Sequence, residues 1–112
     1  MNAPFCDSAL FVYGTLVYPA TRERLLGRPV EAVAARLPGY RTGRRRHAYI
    51  VAKPGAQTRG MILHGLSERD FEILDEYEEV PRLYTRAPVE VMDVQGRAIR
   101  CWVYKPTAWA TE

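Results

Sequence analysis

The sequence predicts an α+β domain in which a mostly antiparallel sheet curls toward a small barrel of about five to seven strands, with about two helices. Short segments rich in β-branched and aromatic residues recur along the chain, and turns containing glycine or proline separate them. Two other segments carry the start and stop residues of helices. Neither a repeat nor a low-complexity tract interrupts the 112 residues, so we expect a single domain over residues 1–112.

Each predicted element has a local reason. The first strand is apolar, the first helix begins near a proline and ends at a glycine, and the second helix begins at a serine cap with an acidic residue three positions on. A Pro-Gly turn separates two middle strands, and a Gln-Gly turn joins the last two. The predicted strands cover residues 9–13, 30–36, 46–52, 60–65, 85–94 and 98–104; the predicted helices cover 19–27 and 67–79; a turn is predicted at 37–40.

Composition limits the classes of function. Hydrophobic residues make up 47% and charged residues 26%, which is typical of a globular protein, and no segment approaches the length of a membrane span. The N-terminus lacks the basic and apolar regions of a secretory signal. Cys6 and Cys101 lie far apart without metal-ligand or redox spacing, which indicates reduced thiols. We therefore expect a cytoplasmic protein without a membrane partner.

A run of basic residues accounts for much of the net charge of +3. Residues 41–46 read Arg-Thr-Gly-Arg-Arg-Arg. Arginine side chains suit phosphates, so nucleic-acid binding is one interpretation. The run is short, contains a glycine and lies between strand-like segments, which favours the solvated tip of a hairpin. We therefore expect no nucleic-acid partner.

A strand that stops abruptly at a glycine is the first candidate binding site. Residues 10–16 read Leu-Phe-Val-Tyr-Gly-Thr-Leu. Gly14 permits a sharp turn that presents successive amide N–H groups, and such amides bind a carboxylate or carbonyl oxygen. A strand followed by an ordinary turn is the alternative.

Glu78 is a second candidate, because the helix pattern places it on an apolar face. At about 100° per residue it projects between Phe71 and Leu74. Partial burial, the helix C-terminus and neighbouring carboxylates would all raise its pKa, as suits a group that accepts and returns a proton. A frayed helix end with Glu78 in solvent is the alternative. Tyr84 follows after a short connection, from which its hydroxyl can reach Glu78 or a ligand.

Taken together, two segments resemble the γ-glutamylcyclotransferase-like superfamily, and within it the AIG2-like branch and the γ-glutamylamine cyclotransferases. They are Phe-Val-Tyr-Gly-Thr-Leu at residues 11–16 and Leu-Asp-Glu-Tyr-Glu-Glu-Val-Pro-Arg-Leu-Tyr-Thr-Arg at residues 74–86. Leu-Pro-Gly-Tyr at 37–40, the strand at Gly60 and Cys-Trp-Val-Tyr at 101–104 also fit. The resemblance spans nearly the whole chain and implies a small barrel with a cavity at one end.

The resemblance also implies roles for individual residues. The glutamate of the Leu-Asp-x-aromatic-Glu segment is the general acid/base in this family, here Glu78, and Tyr84 and Tyr104 would line the cavity. Many relatives have glycine directly after that glutamate, whereas this chain has Glu79, which adds charge beside the site. The backbone of the Tyr-Gly-Thr-Leu segment holds the glutamyl carboxylate, here through Tyr13, Gly14, Thr15 and Leu16.

The implied activity is cyclisation of a γ-glutamyl amine or a small γ-glutamyl peptide to 5-oxoproline and a free amine. The substrate is a small molecule, and the reaction needs no metal or other cofactor; His47 and His64 are isolated in the sequence. A non-catalytic module that binds a small molecule in the same cavity is the alternative function.

Overall fold

The structure is a computed structural model that describes residues 3–110, in which five strands close into a barrel. The strands are β1 (Phe5–Val12), β2 (Ala32–Arg44), β3 (Ala48–Leu63), β4 (Tyr84–Asp93) and β5 (Ala98–Pro106), the helices are α1 (Pro19–Leu26) and α2 (Glu68–Tyr77), and short 3-10 helices cover Thr15–Val17 and Ala108–Ala110. The order around the barrel is β1-β3-β2-β4-β5. Only β1 and β5 pair in parallel among the described residues, which confirms the predicted α+β class with a mostly antiparallel barrel.

The two central strands are longer than the sequence predicted. The turn expected at residues 37–40 lies inside β2, and most of the segments 46–52 and 60–65 lies in one strand, β3, so both predictions were wrong. The glycines there do mark irregular backbone, since Gly39 and Gly55 have φ angles of 84° and 85°. Pairing continues on both sides of these positions, however, and the ladder is therefore not interrupted.

The irregularity takes the form of a shift in register between β2 and β3. Pro38 pairs with Gln57, but Tyr40 pairs with Ala52. The extra residues of β3 between these pairs, 53–56, are accommodated as a bulge rather than as a turn between two strands. The resulting long hairpin carries its tip to one end of the barrel.

β1 is apolar along its second half because both of its faces are buried. Phe11 packs in one cluster, while Leu10 and Val12 pack in another that includes side chains of α2. The barrel cluster comprises Ala9, Phe11, Ala35, Leu37, Ile50, Ile62, Val89, Val91, Cys101 and Val103. The helix-side cluster comprises Leu10, Val12, Leu16, Leu63, Leu66, Phe71, Leu74, Tyr84 and Tyr104. The end of β1 therefore emerges between two packed layers, which fixes the turn that follows it.

A glycine in β3 lets that strand approach the end of β1 closely. A Cβ atom at Gly60 would lie 2.2 Å from the Val12 carbonyl oxygen and 2.7 Å from the Phe11 ring. Any larger residue would push the two strands apart. Gly60 thus holds β3 against the part of β1 that leads into the candidate site.

α2 begins with the capping box that the sequence predicted. The Asp70 amide donates to Ser67 Oγ at 3.0 Å, and the Ser67 amide donates to Asp70 Oδ2 at 2.9 Å. Asp70 also forms an ion pair with Arg28. The helix ends at Tyr77, two residues before the predicted end, with Glu78 as its C-cap. Within residues 3–110 neither helix has the length and apolar character needed to cross a membrane.

Candidate active site

One end of the barrel opens into a cavity of about 280 Å³ between the turn after β1 and the C-terminal end of α2. This volume lies near the lower end for ligand pockets and suits a small molecule. All the site residues predicted from the sequence line it: Tyr13, Gly14, Thr15, Leu16, Glu78, Tyr84 and Tyr104. The other lining residues are Phe11, Val12, Arg44, Arg46, His47, Ala48, Tyr77, Glu79 and Leu83.

The turn after β1, whose residues line the cavity, contains two unpaired amides. The Val17 amide donates to the Gly14 carbonyl at 3.1 Å, which forms the 3-10 turn. Within residues 3–110 the amides of Thr15 and Leu16 make no hydrogen bond. Gly14 has φ −115° and ψ −134°, and a Cβ there would meet Ala48 Cβ at an ordinary 3.5 Å. The start of a 3-10 helix explains why the two amides that follow are available.

Arg22, a residue of α1, supports this turn from its buried side. Its Nη1 donates to the carbonyls of Leu16 at 3.2 Å and Val17 at 2.9 Å, and the residue is only 6% exposed. Its Nε has no hydrogen-bond partner, and no carboxylate pairs with it, within residues 3–110. The sequence carried no sign of this role, because Arg22 lies among other charged residues of a short polar helix.

Replacing Arg22 with methionine is expected to lower the free energy of unfolding by about 2 kcal/mol. Two carbonyl groups would lose their hydrogen-bond donor, while the methionine side chain would still fill the space of the aliphatic part of Arg22. Urea unfolding measures the change, and the exposed Arg24→Met in the same helix is the matched control, expected to stay within about 0.5 kcal/mol of wild type. Equal stability of the two variants would show that the buried hydrogen bonds of Arg22 do not stabilise the turn.

Glu78, which also lines the cavity, is half-buried. Burial raises the pKa of this carboxyl from 4.5 to about 7. The Glu78 amide donates to the Leu74 carbonyl at 2.9 Å, so the helix is intact up to this residue. Across residues 3–110 no hydrogen bond or ion pair occupies the carboxylate. The group is therefore available to a ligand and carries a proton at close to neutral pH.

Two tyrosine hydroxyls in the cavity donate to backbone carbonyls. Tyr13 donates to the Tyr104 carbonyl at 2.6 Å, and Tyr84 donates to the Ala48 carbonyl at 2.5 Å. Burial, reinforced by the charge of Glu78, raises the pKa of both hydroxyls. Tyr84 therefore binds a carbonyl across the cavity mouth rather than Glu78, and its oxygen keeps its capacity to accept a hydrogen bond from a ligand.

A third tyrosine belongs to a charged network behind the cavity. Tyr104 donates to Asp75 Oδ1 at 2.6 Å, and Arg86 Nε donates to the same oxygen at 3.1 Å. The Arg86 guanidinium also lies over the rings of Phe71 and Trp102, 4.4 and 4.6 Å from their centroids. The ion pair compensates the negative charge of Asp75, which lies one helical turn before the candidate acid/base.

The cavity also includes side chains that the sequence did not indicate. Tyr77, the last residue of α2, is 37% exposed, and its hydroxyl hydrogen-bonds Thr15 Oγ1 at 2.7 Å. Arg46 and His47 come from the tip of the β2–β3 hairpin, and Arg44 directly precedes it. The tip covers residues 45–47, so residues 41–44 of the basic run, which the sequence placed in the tip, belong to β2 instead. These side chains border the cavity because the hairpin is long enough to reach the barrel end, which the predicted shorter strands did not suggest.

Glu79 lies where the chain reverses after α2, and its φ is 56°. Its amide donates to the Glu76 carbonyl at 3.1 Å, and the Val80 amide donates to the Asp75 carbonyl at 2.9 Å. This pair of bonds is a Schellman helix end, whose left-handed residue is usually glycine. Glu79 therefore occupies the helix-end position at which glycine is most favoured.

Glu79→Gly is expected to be more stable than Glu79→Ala by about 1 kcal/mol. Both variants remove the same charge and the same ion pair with Arg82, so the comparison isolates the left-handed backbone. Urea unfolding of the two variants under identical conditions provides the difference. If alanine were as stable as glycine at this position, the left-handed geometry would carry no cost and the explanation would fail.

The cavity combines a proton carrier with hydrogen-bond donors. Near neutral pH, Glu78 is present in both its protonated and ionised forms. The amides of Thr15 and Leu16 can bind an oxygen anion. Over the described range 3–110, no group of three or more His, Cys, Asp or Glu side chains could hold a metal ion. This arrangement suits proton transfer on a small molecule that carries a carboxylate.

The chain is similar in sequence to a known protein family. A family model described as "Gamma-glutamyl cyclotransferase, AIG2-like" matches residues 10–111. AIG2-like protein C of Arabidopsis thaliana is 36% identical to the chain over 86 residues, which cover 74% of this chain and 49% of that protein. The chain thus spans about half the length of this curated relative.

Solved structures share the fold. A solution structure from Arabidopsis thaliana superposes with a TM-score of 0.81 at 26% identity and covers 92% of this chain and 70% of its own. A structure named gamma-glutamyl cyclotransferase superposes with a TM-score of 0.79 at 20% identity, covering 88% of this chain and 66% of its own. At that identity the second likeness is one of fold alone.

Proposed function

The chain belongs to the AIG2-like gamma-glutamyl cyclotransferase family, and we propose that it is an enzyme that cyclises a γ-glutamyl amine or a small γ-glutamyl peptide to 5-oxoproline and a free amine. One observation carries this proposal beyond the family. The Glu78 carboxyl, with its pKa raised to about 7, lines the same small cavity as the unpaired amides after β1. A proton carrier and an anion-binding turn in the same small cavity are what the cyclisation of a γ-glutamyl group requires.

In the proposed complex, the glutamyl carboxylate binds the turn after β1. The amides of Thr15 and Leu16 donate to it, with Tyr13 and Gly14 forming the adjacent wall. Arg22 supports this binding by holding the carbonyls on the other side of the turn and by adding positive potential there. Tyr84 and Tyr104 line the cavity and limit the conformations of the bound chain.

Glu78 then moves the protons of the reaction. Its carboxylate accepts a proton from the substrate α-ammonium, and the neutral nitrogen attacks the γ-carbonyl carbon to form the C–N bond of a five-membered ring. The bond from that carbon to the leaving nitrogen breaks as Glu78 returns the proton to the departing amine. Glu78, again a carboxylate, then accepts a second proton from the ring nitrogen, which keeps one hydrogen, and passes it to the amine, which leaves as an ammonium. Water is neither consumed nor formed.

Positioning supplies much of the expected acceleration, because both reacting groups belong to one molecule. A flexible γ-glutamyl chain samples many conformers, and a cavity of about 280 Å³ selects compact ones. Hydrogen-bond donors that stabilise the oxygen of the tetrahedral intermediate typically contribute about 3 kcal/mol. The raised pKa of Glu78 contributes by matching proton transfer to neutral pH.

The test is release of 5-oxoproline from a panel of γ-glutamyl amines and γ-glutamyl dipeptides by the purified wild-type protein. Release above the uncatalysed rate from any panel compound supports the proposal. Thermal unfolding is measured with the same compounds. A raised melting temperature without 5-oxoproline would instead indicate a non-catalytic module that binds in this cavity, and the proposal of an enzyme would be withdrawn.

A further inference from the structure

The basic tip of the β2–β3 hairpin borders the cavity, and the proposed reaction does not use it. Arg44 and Arg46 line the cavity together with His47, and both arginine side chains are exposed. Neither guanidinium group forms an ion pair or hydrogen bond within residues 3–110. Two guanidinium groups that have no acidic partner among residues 3–110 therefore border a cavity of a size that suits a small molecule.

The hairpin tip has a defined position because aromatic rings pack against it. The Trp109 ring lies edge-on to His47 at 5.9 Å and to Tyr84 at 5.7 Å, and its Nε1 donates to the Leu83 carbonyl at 2.5 Å. Across the hairpin, a Cβ atom at Gly43 would lie 2.4 Å from the ring of its partner Tyr49. The tip is thus held by packing on both of its strands, and the arginine side chains start from a fixed backbone.

The acidic groups of the cavity leave the charge of the tip largely uncompensated. Glu79 pairs with Arg82 on its own turn. Glu78 is half protonated near neutral pH, since burial raises its pKa to about 7. Burial raises the pKa of Tyr84, and the positive charge of Arg44 opposes this rise. The electrostatic potential of Arg44 therefore extends to the cavity wall. A ligand group near the tip consequently meets net positive charge.

We propose that Arg44 and Arg46 bind an acidic group on the leaving amine, so that the enzyme prefers γ-glutamyl compounds whose amine carries a carboxylate or another anionic group. This inference rests on the proposed function. The amides of Thr15 and Leu16 take the glutamyl carboxylate in that reaction, so the leaving amine is the part of the substrate that remains to face the tip. A neutral or cationic leaving amine gains nothing from the two arginines or is repelled by them.

The experiment compares γ-glutamyl-alanine with γ-glutamyl-alaninamide, which differ only in whether the leaving amine carries a carboxylate or a neutral amide. The ratio of their kcat/KM values is measured for wild type, for the double variant Arg44→Ala/Arg46→Ala, and for Arg59→Ala. Arg59 is an exposed arginine of β3 away from this cavity, and it serves as the matched control. Thermal unfolding confirms that each variant is folded.

Wild type is expected to favour the acid by roughly fivefold for each arginine that contacts it, mostly through KM, and added salt should reduce the preference. The double variant should bring the ratio close to one, and Arg59→Ala should leave it unchanged. Equal use of the two compounds by wild type, or a ratio that survives in the double variant, overturns the inference while the proposed function stands. An equal loss on both compounds would mean that the arginines bind the glutamyl part, which also overturns it. Release of 5-oxoproline from neither compound nor from the wider panel removes the proposed function and the inference with it.

Discussion

Glu78→Gln is expected to reduce 5-oxoproline release by roughly 10²- to 10⁴-fold, the usual contribution of a general acid/base. Glutamine has nearly the same shape as glutamic acid, but it cannot accept a proton from the substrate α-ammonium or return one to the leaving amine. The loss should appear in kcat, because the amides of Thr15 and Leu16 that bind the glutamyl carboxylate are unaffected.

The matched control is Glu76→Gln, the same substitution on the same helix. Glu76 is exposed and does not line the cavity. Its replacement is expected to leave kcat within about twofold of wild type, since surface substitutions have small effects. A Glu78→Gln enzyme with wild-type kcat, or an equal loss in both variants, would show that Glu78 is not the proton carrier.

Glu78→Gln is also expected to stabilise the folded protein at alkaline pH. At about pH 8, the free energy of unfolding of Glu78→Gln should exceed that of wild type by up to about 3 kcal/mol. The reason is that the folded variant no longer holds an ionised carboxylate in a partly buried position. The partial exposure of Glu78 makes this an upper value. Urea unfolding at several pH values measures the difference, with Glu76→Gln as the reference.

The sign of this effect follows from the two pKa values of Glu78. The carboxyl has a pKa of 4.5 in the unfolded chain and about 7 in the folded protein. Between these values the folded state binds more protons, so the stability of wild type falls as the pH rises through this window. Below the lower value the carboxyl is neutral in both states, and the variant and wild type should have similar stability. A variant whose advantage is independent of pH would contradict the raised pKa.

The fold was predictable from the sequence because its signals are local. The apolar run of β1, the serine cap of α2 and the Gln-Gly turn between β4 and β5 each specify an element without reference to the rest of the chain. β2 and β3 were predicted too short, because Gly39 and Gly55 have the positive φ angles typical of turns while strand pairing continues on both sides. Only the partner strand decides whether such a glycine ends a strand or bends it.

The candidate site was predictable where a residue violated the pattern of its own element. Glu78 is a candidate from sequence because a carboxylate on an apolar helix face is unusual. Its partly buried position in the cavity agrees with the predicted rise of its pKa. Arg22 and Arg44 violate no pattern, since arginines are common on short helices and hairpin tips. Their positions depend on α1 packing behind the turn and on the reach of the long hairpin, which are properties of the tertiary structure.

The pH dependence of kcat/KM tests most directly the claim that the Glu78 carboxyl in this cavity carries the proton of a cyclisation. This parameter reports the ionisation of the free enzyme, the state for which the structure gives a pKa of about 7. With a γ-glutamyl dipeptide as substrate, 5-oxoproline release by wild type should rise with pH to a plateau, with its midpoint near 7. The residual activity of Glu78→Gln should lack this step. A profile that is flat between about pH 5 and 8, or a step that persists in Glu78→Gln, would contradict the assignment of Glu78.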